Sequence, residues 1–148
     1  MRPALALPAV LAALAAAGCG GDDRTLSVAC TEGAGAVERA LRDAPGAVTL
    51  ADGTPLSRCV SDARDIGELQ SFGFIITRVA DRLADRATAD DAEATRLGYL
   101  IGAARRGARH SEGVPNELVH RLEVAARRIP DRAQPALERG LRAGERRG

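Results

Sequence analysis

The chain contains no lysine and no tryptophan, and its 148 residues include only one tyrosine, two phenylalanines and two histidines. Each absence removes a class of function. Without lysine there is no lysine Schiff base and no lysine nucleophile. With Phe72, Phe74 and Tyr99 as the only aromatics, there is no row of rings on which single-stranded nucleic acid or sugars could stack. Charge of one sign is also missing: 21 cationic side chains, all arginine, stand against 20 acids. No strong field therefore draws nucleic acid to the molecule. The sequence has no GxSxG, HExxH, P-loop, Rossmann glycine fingerprint or CxxC pair, so no motif indicates an enzyme and no cofactor is implied.

What the sequence does have begins at its N-terminus. Arg2 precedes an unbroken run of Ala, Leu, Val and Pro from Ala4 to Ala17, which then meets Gly18-Cys19. A positive residue, an apolar stretch and small residues before a break are the layout of a secretory signal peptide. As a helix the run would cover roughly 21 Å, too short for the roughly 30 Å hydrocarbon core of a bilayer. The segment Leu14 to Cys19, LAAAGC, resembles the lipobox of bacterial lipoproteins, although Ala16 stands where Leu is commoner. The resemblance implies that residues 1–18 are removed and that the Cys19 thiol carries a diacylglyceryl group, anchoring an exported chain to the extracytoplasmic face of the cell membrane. Cleavage after Ala17 would instead leave Cys19 as a free thiol.

Removing residues 1–18 leaves 130 residues, the size of a single domain with one core. Residues 19–27 read as the lipidated cysteine and a polar tether, in which Gly20 to Ser27 reach at most about 27 Å. Residues 28–148 form the domain. Cys30 and Cys59 are then an even pair in an exported chain, and a disulfide between them would close a subdomain over residues 28–60. Free thiols or a metal are the alternatives, but two cysteines with no nearby histidine do not make a metal site.

The remainder has the periodicity of an all-α domain, a small antiparallel helical bundle over residues 61–148. Within the disulfide loop, GAGAVERALRDAP predicts a short helix. Val48-Thr49-Leu50, Asp52-Gly53 and Pro55-Leu56 predict a small hairpin or extended arm. From Asp62 as a candidate N-cap, Ile66, Leu69, Gly73, Ile76, Ala80, Leu83 and Ala87 recur at steps of three and four, with Arg64, Glu68, Ser71, Arg78, Arg82 and Asp85 opposite. This amphipathic signal, the strongest in the chain, predicts the core helix. Thr88-x-x-Asp91 predicts the cap of a second long helix carrying Gly98-x-x-x-Gly102. Asn116 opens a third helix, which Pro130 stops, and a weakly apolar final helix from Asp131 is expected to fray.

Three groups of residues are candidates for chemistry. Glu117-x-x-His120 puts a carboxylate and an imidazole on one helix face, as in di-iron bundles, but a di-iron site needs a second such pair and two further glutamates. His110, beside Ser111, suits a helix end, where a cation is favoured. Arg105, Arg106 and Arg109, with Arg127, Arg128 and Arg132, could cap helix C-termini or meet anionic headgroups. Residues 20–100 hold nine arginines and fourteen acids, and residues 101–148 eleven arginines and six acids, so the acidic and basic halves are expected to pack together and neutralise one another. Phe72-Gly73-Phe74-Ile75-Ile76 reads as core, or as the lining of a lipid or peptide groove. The resulting expectation is a lipid-anchored interaction or assembly module with a protein partner and no nucleic acid. The alternative is a small-ligand-binding lipoprotein with a cavity of several hundred cubic ångströms between the two long helices.

Overall fold

In the computed structural model, which describes residues 25–63 and 65–148, the two longest helices start at side chains that satisfy free backbone N–H groups. The signal segment, Cys19, the tether as far as Arg24, and Arg64 lie outside the described residues. Six α-helices are present among those described: α1 (Ala34–Ala40), α2 (Leu56–Ser61), α3 (Ile66–Arg86), α4 (Asp91–Ala108), α5 (Val114–Ala126) and α6 (Gln134–Arg147). The chain is an all-α domain with a Cys30–Cys59 disulfide.

Several starts differ from the sequence expectation because a nearby carboxylate is better placed. Asp65, not Asp62, caps α3, its Oδ1 accepting from the Glu68 N–H at 2.8 Å. Asp62 terminates α2, where it pairs with Arg58 at 3.1 Å. Asp90, not Thr88, caps α4 by accepting from the Ala92 N–H at 2.8 Å, while the Thr88 hydroxyl donates to the Asp85 carbonyl at 2.9 Å. Helix α5 starts at Val114 after Gly113, whose φ of 76° only glycine adopts readily, and Asn116 ties its first turn to the Ser111 carbonyl at 3.1 Å.

The predicted hairpin reduces to an extended arm. Thr49 and Pro55 form one antiparallel bridge, closed by a turn in which the Leu50 N–H donates to the Thr54 carbonyl at 2.9 Å. Leu56 then opens α2 instead of continuing a strand, because two short strands alone have too little ladder to be stable. The arm is held by burial: Val48, Leu50 and Leu56 are all in the core. The hydroxyl oxygen of the fully buried Tyr99 accepts the Val48 N–H at 3.2 Å. Tyr99→Phe removes that acceptor and strands a buried peptide N–H, so it is expected to lower the unfolding free energy by about 1–2 kcal/mol. Urea denaturation with helix content unchanged by circular dichroism checks this, and an unshifted midpoint would count against the bond.

The central helix is α4, not α3. Thirteen of the 18 residues of α4 are buried, against eight of 21 in α3. A strong amphipathic signal marks a helix with one wet side, whereas a helix covered all round loses its polar stripe and with it the signal. Accordingly Ile66, expected inward, is exposed, and α3 turns a full side to solvent.

Helix α6 is not a frayed end. A Cβ built on Gly98 would collide with the Leu137 carbonyl, on Gly102 with that of Leu141, on Gly140 with that of Thr95, and on Gly144 with that of Tyr99. The partners advance together along both helices, so α4 and α6 run parallel, backbone against backbone. Gly98-x-x-x-Gly102 meets Gly140-x-x-x-Gly144, and close dispersion contact supplements the two large apolar side chains of α6, Leu137 and Leu141. Helices α3 and α5 are likewise parallel: Gly73 lies by Leu118 and, two turns on, Asp81 meets Arg128 at 2.9 Å. The short turns after α3, α4 and α5 therefore alternate direction in an up-down-up-down bundle.

Candidate functional site

Most of the candidate polar residues are used in holding the fold. Arg105, on α4, reaches Glu123 of α5 at 2.7 Å and Glu145 of α6 at 3.2 Å, tying three helices at one point. Partial burial opposes its charge, but the hydrogen bonds and charges of the two glutamates outweigh that and raise its pKa above the ordinary value. Arg106 donates to the last carbonyls of α6, those of Glu145 and Arg146. Arg128 pairs with Asp81 at 2.9 Å and Asp85 at 3.5 Å, and Arg132 donates to the Thr88 carbonyl at the end of α3. Arg128 and Arg132 thereby join the basic C-terminal half to the acidic N-terminal half, whereas Arg105 and Arg106 find their partners within the C-terminal half; Arg106 and Arg132 supply cations at helix ends. Arg109 and Arg127 are exposed.

The helical spacing of Glu117 and His120 does not assemble a metal site. Glu117 pairs with Arg121 at 3.0 Å, and His120 is exposed. Among the described residues no group of three His, Cys, Asp or Glu side chains is placed to hold a metal ion. His110 is exposed just past the end of α4, with Ser111 beside it in the following loop.

Two depressions stand out among the described residues. The smaller, about 310 Å³, lies where the tether enters the domain, among Thr25, Ser27, Cys30, Asp52, Arg58 and Asp62. Its Asp52 carboxylate accepts from the Ser27 hydroxyl, and from the Thr54 N–H at 2.9 Å and hydroxyl at 2.8 Å. Those bonds, that of Ser27 foremost, hold the Asp52 pKa below the usual carboxylate range. The carboxylate thus stabilises the arm's turn and is no candidate base.

The larger depression is an open groove of about 490 Å³ between α3 and α5, lined by Leu69, Gly73, Phe74, Val114 and Leu118, with Gln70 and Thr77 on one side and Glu117 and Arg121 on the other. The expected position was between α3 and α4, but α4 fills that space with its own side chains. The groove exists because Gly73 has no side chain. A Cβ there would lie 3.3 Å from Leu118 Cδ1, so the two helices meet at this floor and part above it. The apolar run at Phe72 to Ile76 divides between its two readings. Phe72, Gly73 and Ile76 are buried, whereas Phe74 is 65% exposed on the groove's lip. Arg78 lies over the Phe74 ring at 5.5 Å and shields one of its faces. Val114, 40% exposed, forms the opposite lip at the start of α5. Phe74 lies two residues, about 200° of helical rotation, from both Phe72 and Ile76 of the buried set, and that offset was the signal for an outward ring.

Among the described residues no helix is long and apolar enough to cross a membrane. A buried structural disulfide is characteristic of chains that fold outside the reducing cytosol. No family model matches this chain, and neither do the curated proteins or solved structures compared with it.

Proposed function

We propose that this chain is an exported lipoprotein, anchored through Cys19, that serves as an interaction module and presents the α3/α5 groove to its partner. The observation that carries the reading is the exposed apolar groove, with Phe74 and Val114 on its lips. Apolar patches bordered by polar residues mark binding surfaces more often than catalytic ones. The LAAAGC segment supplies the address, and the short tether keeps the groove within reach of the membrane surface. The groove's volume favours a second reading, binding of a small apolar ligand.

Native mass spectrometry of the protein extracted from its own membranes tests both. The interaction module predicts a chain beginning at Cys19 with acyl mass, accompanied by a reproducible second protein that Phe74→Glu removes. A bound small molecule in place of that protein would favour the ligand-binding reading. Cys19→Ala is expected to abolish acyl mass and shift the chain from the membrane to the soluble fraction; acyl mass that persists would eliminate this anchor.

A further inference from the structure

The groove between α3 and α5 is concave, apolar along its floor and uncharged in balance. Its only charged lining residues, Glu117 and Arg121, neutralise each other at 3.0 Å. A concave slot does not suit a flat bilayer surface, and a balanced rim offers nothing to a free carboxylate or an acidic peptide. The occupant it fits is a neutral hydrocarbon chain.

The described chain begins at Thr25, in the cleft that also holds Asp62. Asp62 and Leu69, the near end of the groove, can be separated by no more than the full reach of three residues plus one helical turn, about 17 Å. Allowing roughly 10 Å for the cleft itself, Thr25 lies within about 27 Å of the groove. The six residues back to Cys19 span up to about 20 Å. An acyl chain adds about 15 Å, half the thickness of a hydrocarbon core. The lipid on Cys19 therefore reaches the groove with length to spare.

We propose that, whenever the protein is away from a bilayer, the α3/α5 groove shelters an acyl chain of the diacylglyceryl group on its own Cys19. The proposal rests on the lipid-anchor reading. In water the exposed methylenes favour apolar cover, and the groove lies within their reach. In a bilayer the chain is buried completely instead of partly, so insertion vacates the groove and leaves it open to a partner. The groove's availability is thereby coupled to membrane attachment.

The test compares the full-length exported chain in its acylated form, held in detergent-free buffer, with Cys19→Ala. Both are titrated with a neutral pyrene-labelled diacylglycerol. Cys19→Ala is expected to bind one probe saturably, and Phe74→Glu with Val114→Glu to weaken that binding about tenfold by placing charge on both lips. Phe74 and Val114 are exposed, so the variants are expected to keep their helix content. The acylated chain is expected to bind the probe about tenfold more weakly than Cys19→Ala, because its own chain competes. Equal binding by the two forms, or binding that the lip substitutions leave unchanged, overturns the proposal. Tighter binding of pyrene-labelled fatty acid than of diacylglycerol would reassign the groove to free fatty acid. Absence of acyl mass on the exported chain would remove the anchor reading and the proposal with it, whereas acyl mass without competition removes the proposal alone.

Discussion

Gly140→Ala is expected to destabilise the domain by about 3 kcal/mol, the upper end of what overpacking a rigid interior costs. The sign is not obvious from the residue type, since alanine is the better helix former by about 1 kcal/mol. What decides it is the nature of the obstacle. The added Cβ would run into the Thr95 carbonyl oxygen and stand 2.8 Å from the Tyr99 nitrogen. Both are backbone atoms of α4, which cannot rotate away as a side chain would. The helices must separate, and the tight approaches at Gly98, Gly102 and Gly144 open with them. Gly35→Ala is the control. Gly35 is exposed on α1, and its Cβ would meet only the flexible end of Arg39 at 3.5 Å, so that variant is expected to be neutral or to gain about 0.5 kcal/mol. Denaturant unfolding of the two variants beside the parent separates the effects. Equal stabilities would mean that α6 does not pack on α4 through its glycines.

The same glycines show where the sequence was readable. Gly98-x-x-x-Gly102 was legible as a site of close approach, because two small residues one turn apart have few other uses in a helix. Its partner Gly140-x-x-x-Gly144 was missed, hidden in a segment rich in charge, where low hydrophobicity reads as exposure. Glycine carries no hydrophobic signal however deeply its backbone is buried. The central position of α4 was illegible for a related reason: its buried residues, small Ala and Gly together with Leu97, Tyr99, Leu100 and Ile101, lie on every side, so it has no sharply amphipathic face. The groove was legible only in part. The phase of Phe74 within the run from Phe72 to Ile76 announced an outward ring, but the groove beside it depended on where α5 crosses α3, and that is set by Leu118 against Gly73 across 45 positions of sequence. The paired cysteines were legible because only two remained once Cys19 was assigned to lipid.

Replacing Cys30 and Cys59 together with alanine is expected to cost about 3.6 kcal/mol, the chain-entropy value for a loop of about 30 residues. Both cysteines are buried, and the bridge joins the capped turn at Val28–Thr31 to α2. Helix α2 has only six residues, α1 seven, and the arm between them a single bridge, so none of these pieces is stable as local structure. Their other ties include the burial of Val37, Leu41, Val48, Leu50, Leu56 and Val60, the Val48 bond to Tyr99, the Ser57 hydroxyl's bond to the Gly148 carbonyl, and an ion pair between Glu38 and Arg82 at 3.2 Å. A loss of about 3.6 kcal/mol against a total of about 5–15 kcal/mol would leave the domain folded at room temperature but marginal. Hydrogen exchange can locate the loss. If the bridge acts through the whole unfolded chain, protection falls equally at Val48 and in α4. A fall at Val48 alone would show that residues 28–61 open as a separate unit over an intact four-helix bundle.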